Sequence, residues 1–254
     1  MTQIKDISIT KTIAENGDFL LMQNPITGET YKITKANLLA ALSNGTSGTS
    51  TSYPSGMALL LDGGSLIDKS GNNRNASPLG TNSPSSVTGT DGKQVLRWNG
   101  SGTQELQISP FLGATSGATL YCVCTINGGD NYNLVRTKAL DDYWKFIAGS
   151  GYFGTFRSSR FDQYPTSMPG NGSHLISIHA DSTTYEVAVD RVSKGVRSSS
   201  YDPGDRFRIG VNDKVFTGDI ALILVYPEYL QLGTSKDVEV KNKIKQNYPS
   251  LPFS

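Results

Sequence analysis

The side chains in this sequence that could do chemistry are few, and their spacing decides most cases. His174 and His179, the two histidines, stand five residues apart in Gly-Ser-His-Leu-Ile-Ser-Ile-His. On a strand that spacing turns them to opposite faces, so they cannot share a metal. There is no Gly-x-Ser-x-Gly elbow and no evident acidic partner beside either ring, which leaves a Ser/His/Asp hydrolase without an anchor. Cys122 and Cys124 flank Val123. On a strand they share a face at about 6.5 to 7 Å, at or beyond the reach of an unstrained disulfide, so both are expected reduced. A zinc site would need further ligands that do not stand nearby. Gly149-Ser-Gly151-Tyr-Phe-Gly154 matches the spacing of a dinucleotide fingerprint, but Thr155-Phe-Arg-Ser-Ser-Arg-Phe-Asp is no helix start. That motif holds pyrophosphate on a helix N-terminus, so a turn between two strands is the better reading.

Glycoside hydrolysis needs two carboxylates facing one sugar bond. The six glutamates (Glu15, Glu29, Glu105, Glu186, Glu228 and Glu239) are scattered, and Asp141-Asp142 and Asp202-Pro-Gly-Asp205 read as turns. Sugar contact without hydrolysis asks for aromatic faces beside hydrogen-bonding groups, and residues 131–165 are densest in both. Trp144 and Phe146 share one strand face there, with Tyr143 and Lys145 on the other, so Trp144 is assigned to the core. The candidate ligand-binding residues are Arg157, Arg160, Asp162 and Tyr164, read as a loop-like stretch, with Tyr143 and Tyr132. A contact between subunits would use the same residue types.

The elements that must position these residues are mostly strands. Among 254 residues there are 27 glycines and only 18% charged residues, the composition of a turn-rich all-β chain. Lys plus Arg (23) nearly cancels Asp plus Glu (22), so no basic footprint for nucleic acid or anionic lipid exists. The longest apolar run, Ile220 to Tyr226, is far short of the roughly 20 residues of a membrane helix. The N-terminus lacks the apolar stretch of a secretory signal.

Residues 1–42 read as a small unit: strands over Asp18–Gln23 and Glu29–Ile33 around an Asn-Pro-Ile-Thr-Gly turn, then a helix from Lys35 to Leu42 with Leu38, Leu39 and Leu42 on one side. Such a unit buries little alone and is expected to attach to another chain or domain. Residues 43–56 carry no charge and read as a linker. From Met57 on, ten apolar runs alternate with Gly/Asn/Asp/Ser clusters: Met57–Leu61, Val95–Trp98, Leu106–Ile108, Thr119–Ile126, Tyr143–Ala148, Gly151–Phe156, Leu175–His179, Tyr185–Val189, Phe207–Ile209 and Ile220–Tyr226. They predict two packed antiparallel sheets, with the last run interior and covered on both faces. A helix is expected from a capping box of Thr234 and Asp237 to Pro249, burying Val240, Ile244 and Tyr248 and presenting Lys236, Lys241, Lys243 and Lys245 to solvent.

Four ordered stretches of this second part carry a resemblance: Asp68-Lys-Ser-Gly71-Asn-Asn-Arg-Asn75-Ala, Trp98-Asn-Gly100, Tyr185-Glu-Val-Ala-Val-Asp190-Arg and Gly218-Asp-Ile-Ala-Leu-Ile-Leu-Val-Tyr226 before the terminal helix. Together they resemble the laminin-G-like, concanavalin A-like jelly roll over most of residues 57–250. The resemblance implies an all-β, two-sheet antiparallel jelly-roll sandwich with a C-terminal helix, following the hairpin-plus-helix module. Arg191 departs from it, standing where the family usually has Gly, which puts that hairpin turn in question. Glycan hydrolases of this fold usually offer Glu-x-Asp-x-x-Glu on one strand, and that spacing is absent, so no catalytic residues are expected. Some members hold calcium at strand-end loops, and Asp62, Asp68, Asn72 and Asn73 could supply oxygens, but turn-forming roles are preferred and no cofactor is expected.

The stretch from Ile7 to Leu38, with Asp18-Phe-Leu-Leu-Met-Gln-Asn-Pro-Ile-Thr-Gly-Glu-Thr-Tyr-Lys-Ile33, is similar to the start of phage tail-fibre and tail-tip proteins, notably of cyanophages. The two resemblances imply a structural virion protein, not an enzyme. Residues 1–42 would dock on tail or baseplate proteins, the chain would trimerise, and the jelly roll would contact a host-surface glycan or a neighbouring protein. The protein would then sit on the virion tail and leave the host by lysis. A bacterial adhesin or carbohydrate-binding module is the rival, and a glycan hydrolase is less favoured.

Overall fold

The computed structural model describes residues 19–23, 30–34, 52–79, 82–100, 104–112, 116–127, 132–137, 145–149, 152–157, 160–164, 172–198, 206–210 and 216–253. The chain divides into two units, Met1–Tyr53 and Pro54–Ser254. In the first, β1 (Phe19–Gln23) pairs antiparallel with β2 (Thr30–Thr34), with Leu21 opposite Lys32, which is the expected hairpin. The helix expected over Lys35–Leu42 lies outside the described residues.

The second unit is a two-sheet antiparallel jelly-roll sandwich with a C-terminal helix. One sheet is built from β4 (Ser77–Pro78), β7 (Leu106–Ile108), β9 (Tyr132–Thr137), β10 (Lys145–Gly149), β11 (Tyr152–Arg157), β12 (Arg160–Tyr164) and β16 (Phe207–Ile209). Its strands run in the order β12-β11-β10-β9-β16-β7-β4. The other contains β5 (Ser85–Thr88), β6 (Gln94–Asn99), β8 (Gly117–Ile126), β13 (Ser173–Asp181), β14 (Thr184–Val189), β15 (Val192–Ser198) and β17 (Thr217–Tyr226), in the order β15-β14-β13-β8-β17-β6-β5. A further strand, β3 (Leu59–Asp62), joins it along β17. All ten apolar runs of the sequence become strands. Of the strands that apolar runs do not announce, β5 and β15 are edge strands with exposed residues, whereas β9 is interior.

The inward faces of both sheets meet in one core that includes Leu59, Trp98, Leu106, Cys122, Cys124, Ile178, Val187, Phe207 and Ile223. Cys122 and Cys124 are free thiols on the same inward face. The neighbouring Cys124 thiol and burial push the Cys122 thiol well above its ordinary pKa, which keeps it protonated.

Two glycines, Gly218 of the last motif and Gly210 after β16, are there because nothing larger fits. A Cβ on Gly218 would sit 2.1 Å from the Thr125 carbonyl oxygen of β8, and one on Gly210 would sit 2.2 Å from the Trp98 indole nitrogen.

Strand β17 is central and buried over nearly its full length, as its apolar run predicts. Its register against β8 shifts between Ile220 and Leu222, a bulge that reverses which residues face inward. Ile220, Ile223 and Val225 therefore join the core, and Leu222, Leu224 and Tyr226 face away from it. That outward face is covered by helix α1 (Ser235–Asn247), through Val240, Ile244 and the following Tyr248.

The helix departs from its expected polarity at two points. Lys241 and Lys243 are buried, because the side of α1 that packs on the sheet includes Asp237 and Lys241 together. Thr234 is the N-cap residue but makes no side-chain cap bond. Its hydroxyl donates to Gln231 O, and Asp237 accepts from Gly233 N at 2.7 Å.

The Asp190-Arg191 turn also forms without the family's Gly. Both residues adopt left-handed backbone (φ 49° and 70°), and Val189 pairs with Val192 across them. Arg191 is held there by a 2.6 Å hydrogen bond to Asn242 of α1 and by the Phe253 ring 4.4 Å from its guanidinium.

Candidate functional site

Four of the six residues singled out for ligand contact fall at one end of the seven-stranded sheet. Arg157 ends β11 and Arg160 begins β12, paired with each other, while Asp162 pairs with Thr155 and Tyr164 with Phe153. The stretch read as a loop is therefore an edge hairpin. Its sequence hides this because Arg160-Phe-Asp-Gln-Tyr contains no apolar run, which an edge strand does not need. The register puts all four residues on one face, and that face continues through Phe146 and Val135 to Ile209. Tyr132 lies on β9 opposite Ala148, away from the four. Tyr143 and Trp144 lie outside the described residues. Gly149 pairs with Tyr152, so the glycine-rich stretch bridges two antiparallel strands rather than opening a helix.

The two histidines occupy opposite faces of β13, as their spacing requires. His174 stands opposite core Cys124, and His179 opposite Thr119. Both have acidic neighbours that sequence distance conceals. His174 Nδ1 lies 2.6 Å from Oδ2 of Asp190 in the β14–β15 turn, while Asp190 Oδ1 accepts the N–H of Leu175 on β13 at 2.9 Å. His179 Nε2 lies 3.9 Å from Asp237 Oδ1.

The Asp68 loop explains the first motif physically. The Asp68 carboxylate accepts Leu60 N–H at 3.0 Å, Ser70 N–H at 2.9 Å, Arg74 N–H at 2.9 Å and the Ser70 hydroxyl at 2.8 Å. Burial alone would raise its pKa, but these bonds together hold it below the ordinary value. Asn72 Nδ2 donates to Met57 O at 2.9 Å, and Asp62 accepts the Tyr248 hydroxyl. These oxygens and amides tie loops to β3, so the loop is a structural hub built on one carboxylate.

The outward face of the eight-stranded sheet holds two polar assemblies. The first lies under α1. The Tyr121 hydroxyl donates to Asp237 Oδ1 at 2.7 Å, and Lys241 Nζ donates to Asp237 Oδ2 at 2.9 Å. His179 Nδ1–H donates to Leu230 O at 2.6 Å, which fixes Nε2 as acceptor from the Ser177 hydroxyl at 2.9 Å. Burial, then the Lys241 charge, lowers the His179 pKa to about 4. Burial lowers that of Lys241, opposed by Asp237, and burial with the Asp237 charge raises that of Tyr121. Serine and imidazole touch here, but both are sealed from solvent, so no substrate reaches them.

The second assembly begins where the cover stops, past Tyr248. Arg97 on β6 is paired in register with Asp219 on β17, Asp219 with Thr125 on β8, and Thr125 with Ser173 on β13. The four form a polar row across four adjacent strands. Arg97 grips Asp219 with two bonds of 2.7 and 2.8 Å, and the Thr125 and Ser173 hydroxyls are 2.9 Å apart. A small cleft is floored by Asp219, Thr125 and Ser173 of the row and walled by Asp91 and Lys93 of the β5–β6 turn and by Tyr248. The row escaped the sequence reading because its members lie up to 122 residues apart. One local trace existed: a lone Asp219 at the head of an apolar strand and an Arg97 between buried Leu96 and Trp98.

No protein-family profile matches this chain, and no curated protein matches it. Solved structures do share its fold. Domain 4 of AbnA, a GH43 extracellular arabinanase from Geobacillus stearothermophilus solved in complex with arabinotriose, is 15% identical with a TM-score of 0.60. The match covers 74% of this chain and 97% of that one. The binding domain of Paraclostridial Mosquitocidal Protein 1 is 14% identical with a TM-score of 0.58, over 76% of this chain and 53% of that one. A botulinum neurotoxin type C structure, whose cell entry is described as dependent on two ganglioside molecules, is 10% identical with a TM-score of 0.60, over 74% and 51%. This chain thus spans about half the length of those toxin chains. At these identities the likeness establishes a β-sandwich fold shared with binding domains.

Proposed function

We propose that this protein recognises rather than reacts: its jelly roll binds a host-surface glycan, and residues 1–42 fix it to a phage tail or baseplate. The observation that carries the reading is the half-open polar row of Arg97, Asp219, Thr125 and Ser173 on a fold whose neighbours were solved as binding domains, one with arabinotriose and one tied to gangliosides. Asp68, Asp237 and His179 are engaged in internal bonds, which supports a non-enzymatic role for these three groups. The hairpin of residues 19–34 supports the attachment role through its likeness to tail-fibre starts. On this reading the protein assembles as a trimer on the virion tail.

The test has two arms. The full chain on an array of neutral and sialylated oligosaccharides should retain a defined subset, and retention of none overturns glycan recognition. Electron microscopy of intact particles labelled with antibody to residues 57–254 should place label at the distal tail. Label on the capsid, or none on the particle, overturns the virion assignment.

A further inference from the structure

Resting on the glycan-recognition reading, we infer that the saccharide site is the cleft over Asp219, Thr125 and Ser173 on the outward face of the eight-stranded sheet, and that its ligand is an uncharged sugar held by hydrogen bonds.

The first argument is the chemistry of the floor. A solvated sheet face is ordinarily covered by long charged side chains, which keep ligands off the backbone. Here two short hydroxyls and a carboxylate stand side by side, so a flat ligand can come close to the sheet. The Thr125–Ser173 contact uses one hydroxyl hydrogen, and among the described residues the other has no acceptor. Arg97 directs Nε and Nη2 to Asp219, and among the described residues its Nη1 has no acceptor. Lys93 sits with its ammonium 4.8 Å from the centre of the Tyr248 ring, and no described oxygen accepts from it. The cleft therefore offers O–H and N–H donors together with the remaining lone pairs of an oriented carboxylate, which is what vicinal sugar hydroxyls require as simultaneous donors and acceptors.

The second argument is preorganisation. Asp91 is tied by both oxygens to Ser250, at 2.9 Å to its N–H and 2.7 Å to its hydroxyl. The turn beneath it is closed by Gly89 N–H to Lys93 O at 2.7 Å. The Tyr248 hydroxyl donates to Asp62 and lies 3.0 Å from Ala221 O. The walls are fixed by bonds that a ligand need not make, so little ordering is required on binding.

The third argument is charge. Within the cleft Lys93 offsets Asp91, and Asp219 is neutralised by Arg97 beside it, which favours a neutral ligand over a sialylated or phosphorylated one. The rival location, the β11–β12 hairpin with Arg157 and Arg160 paired, carries two adjacent guanidinium residues and would favour acidic glycans.

The test uses the full chain and the neutral oligosaccharide it retains best on the array. Ser173→Ala and Thr125→Val should each weaken binding about tenfold, and Asp219→Asn by tenfold or more, since each removes a buried or charge-assisted hydrogen bond. Ser173→Tyr, which fills the cleft from an accessible strand position, should abolish binding while leaving the melting profile intact. The pair Arg157→Ala and Arg160→Ala should leave affinity unchanged. If the cleft variants bind normally and the hairpin variants do not, or if only sialylated glycans are retained, the site assignment is overturned and glycan recognition survives. If the wild-type chain retains no glycan, recognition fails and the assignment with it.

Discussion

Two polar assemblies share one face of one sheet, and they differ in a single respect: whether helix α1 lies over them. Under the helix, Asp237 gathers Tyr121, Lys241 and Gly233, while His179 is saturated by Ser177 and Leu230. Past Tyr248 the same kinds of group are only partly paired: Asp219 is buried, but Arg97, Thr125 and Ser173 meet solvent. Inside low-dielectric packing an unsatisfied polar group is costly, so the covered assembly has been driven to completion. At the open row water supplies the missing partners, so incompleteness costs little and a ligand can take water's place. Polar residue type does not separate a structural cluster from a recognition surface; cover does.

The largest effect that could break this contrast is at Asp237. Asp237→Ala strands the Lys241 ammonium and the Tyr121 hydroxyl under the helix, and removal of one partner of a buried pair costs about 3–5 kcal/mol. Urea denaturation should show that loss, and Asp237→Ala combined with Lys241→Met should recover much of it. Recovery that fails would mean the carboxylate matters for more than its buried partner.

Acid should act on the covered assembly next. His179 titrates at an ordinary 6.5 when unfolded and at about 4 when folded. Between those values the unfolded chain binds a proton that the folded chain refuses, so stability falls as pH drops from about 6.5 toward 4. The full difference is on the order of 3 kcal/mol. His179→Gln should flatten that limb of a stability profile measured from pH 7 to 4. Asp68, held below the ordinary carboxylate value, adds a second loss at still lower pH, as its hydrogen-bonded carboxylate is finally protonated.

A smaller effect joins the two regions through the β14–β15 turn. Arg191→Gly removes a left-handed non-glycine residue, a gain of about 1 kcal/mol, and forfeits the bond to Asn242 and the contact with Phe253. The two terms nearly cancel, so thermal melting should move by less than about 3 °C. A large loss would show that Arg191, rather than the turn, anchors the C-terminal segment.

Much of this architecture was legible in the sequence. Each apolar run became a strand because burial on at least one face requires it, and the seven residues from Ile220 to Tyr226 announced a strand covered on both sides. The bulge at Ala221 was not legible, since a uniformly apolar run carries no parity for a register shift to disturb. Lys241 and Lys243 look solvated in a helical wheel, and only the Asp237 carboxylate one turn away from Lys241 explains its burial. The Arg160–Tyr164 strand was missed because an edge strand need not alternate. The open row is a product of register among β6, β17, β8 and β13, and register belongs to the assembled sheet.

The smallest expected change is in the open row, and it is the sharpest test of the comparison. Thr125 and Ser173 are half-buried and touch each other through one hydroxyl contact. If cover decides whether a polar group is structural, Thr125→Val and Ser173→Ala should each move the melting temperature by less than about 2 °C, because water already serves most of their bonding capacity. Their double variant should show a coupling no larger than that of one solvated hydrogen bond, about 0.5 kcal/mol. The same measurement on Ser177 and His179, two residues apart on the same face but under α1, should give a coupling several times greater. Equal couplings in the two places would mean that the row is bound into the fold just as tightly as the cluster beneath the helix, and the cleft would then lose its claim to be a binding surface.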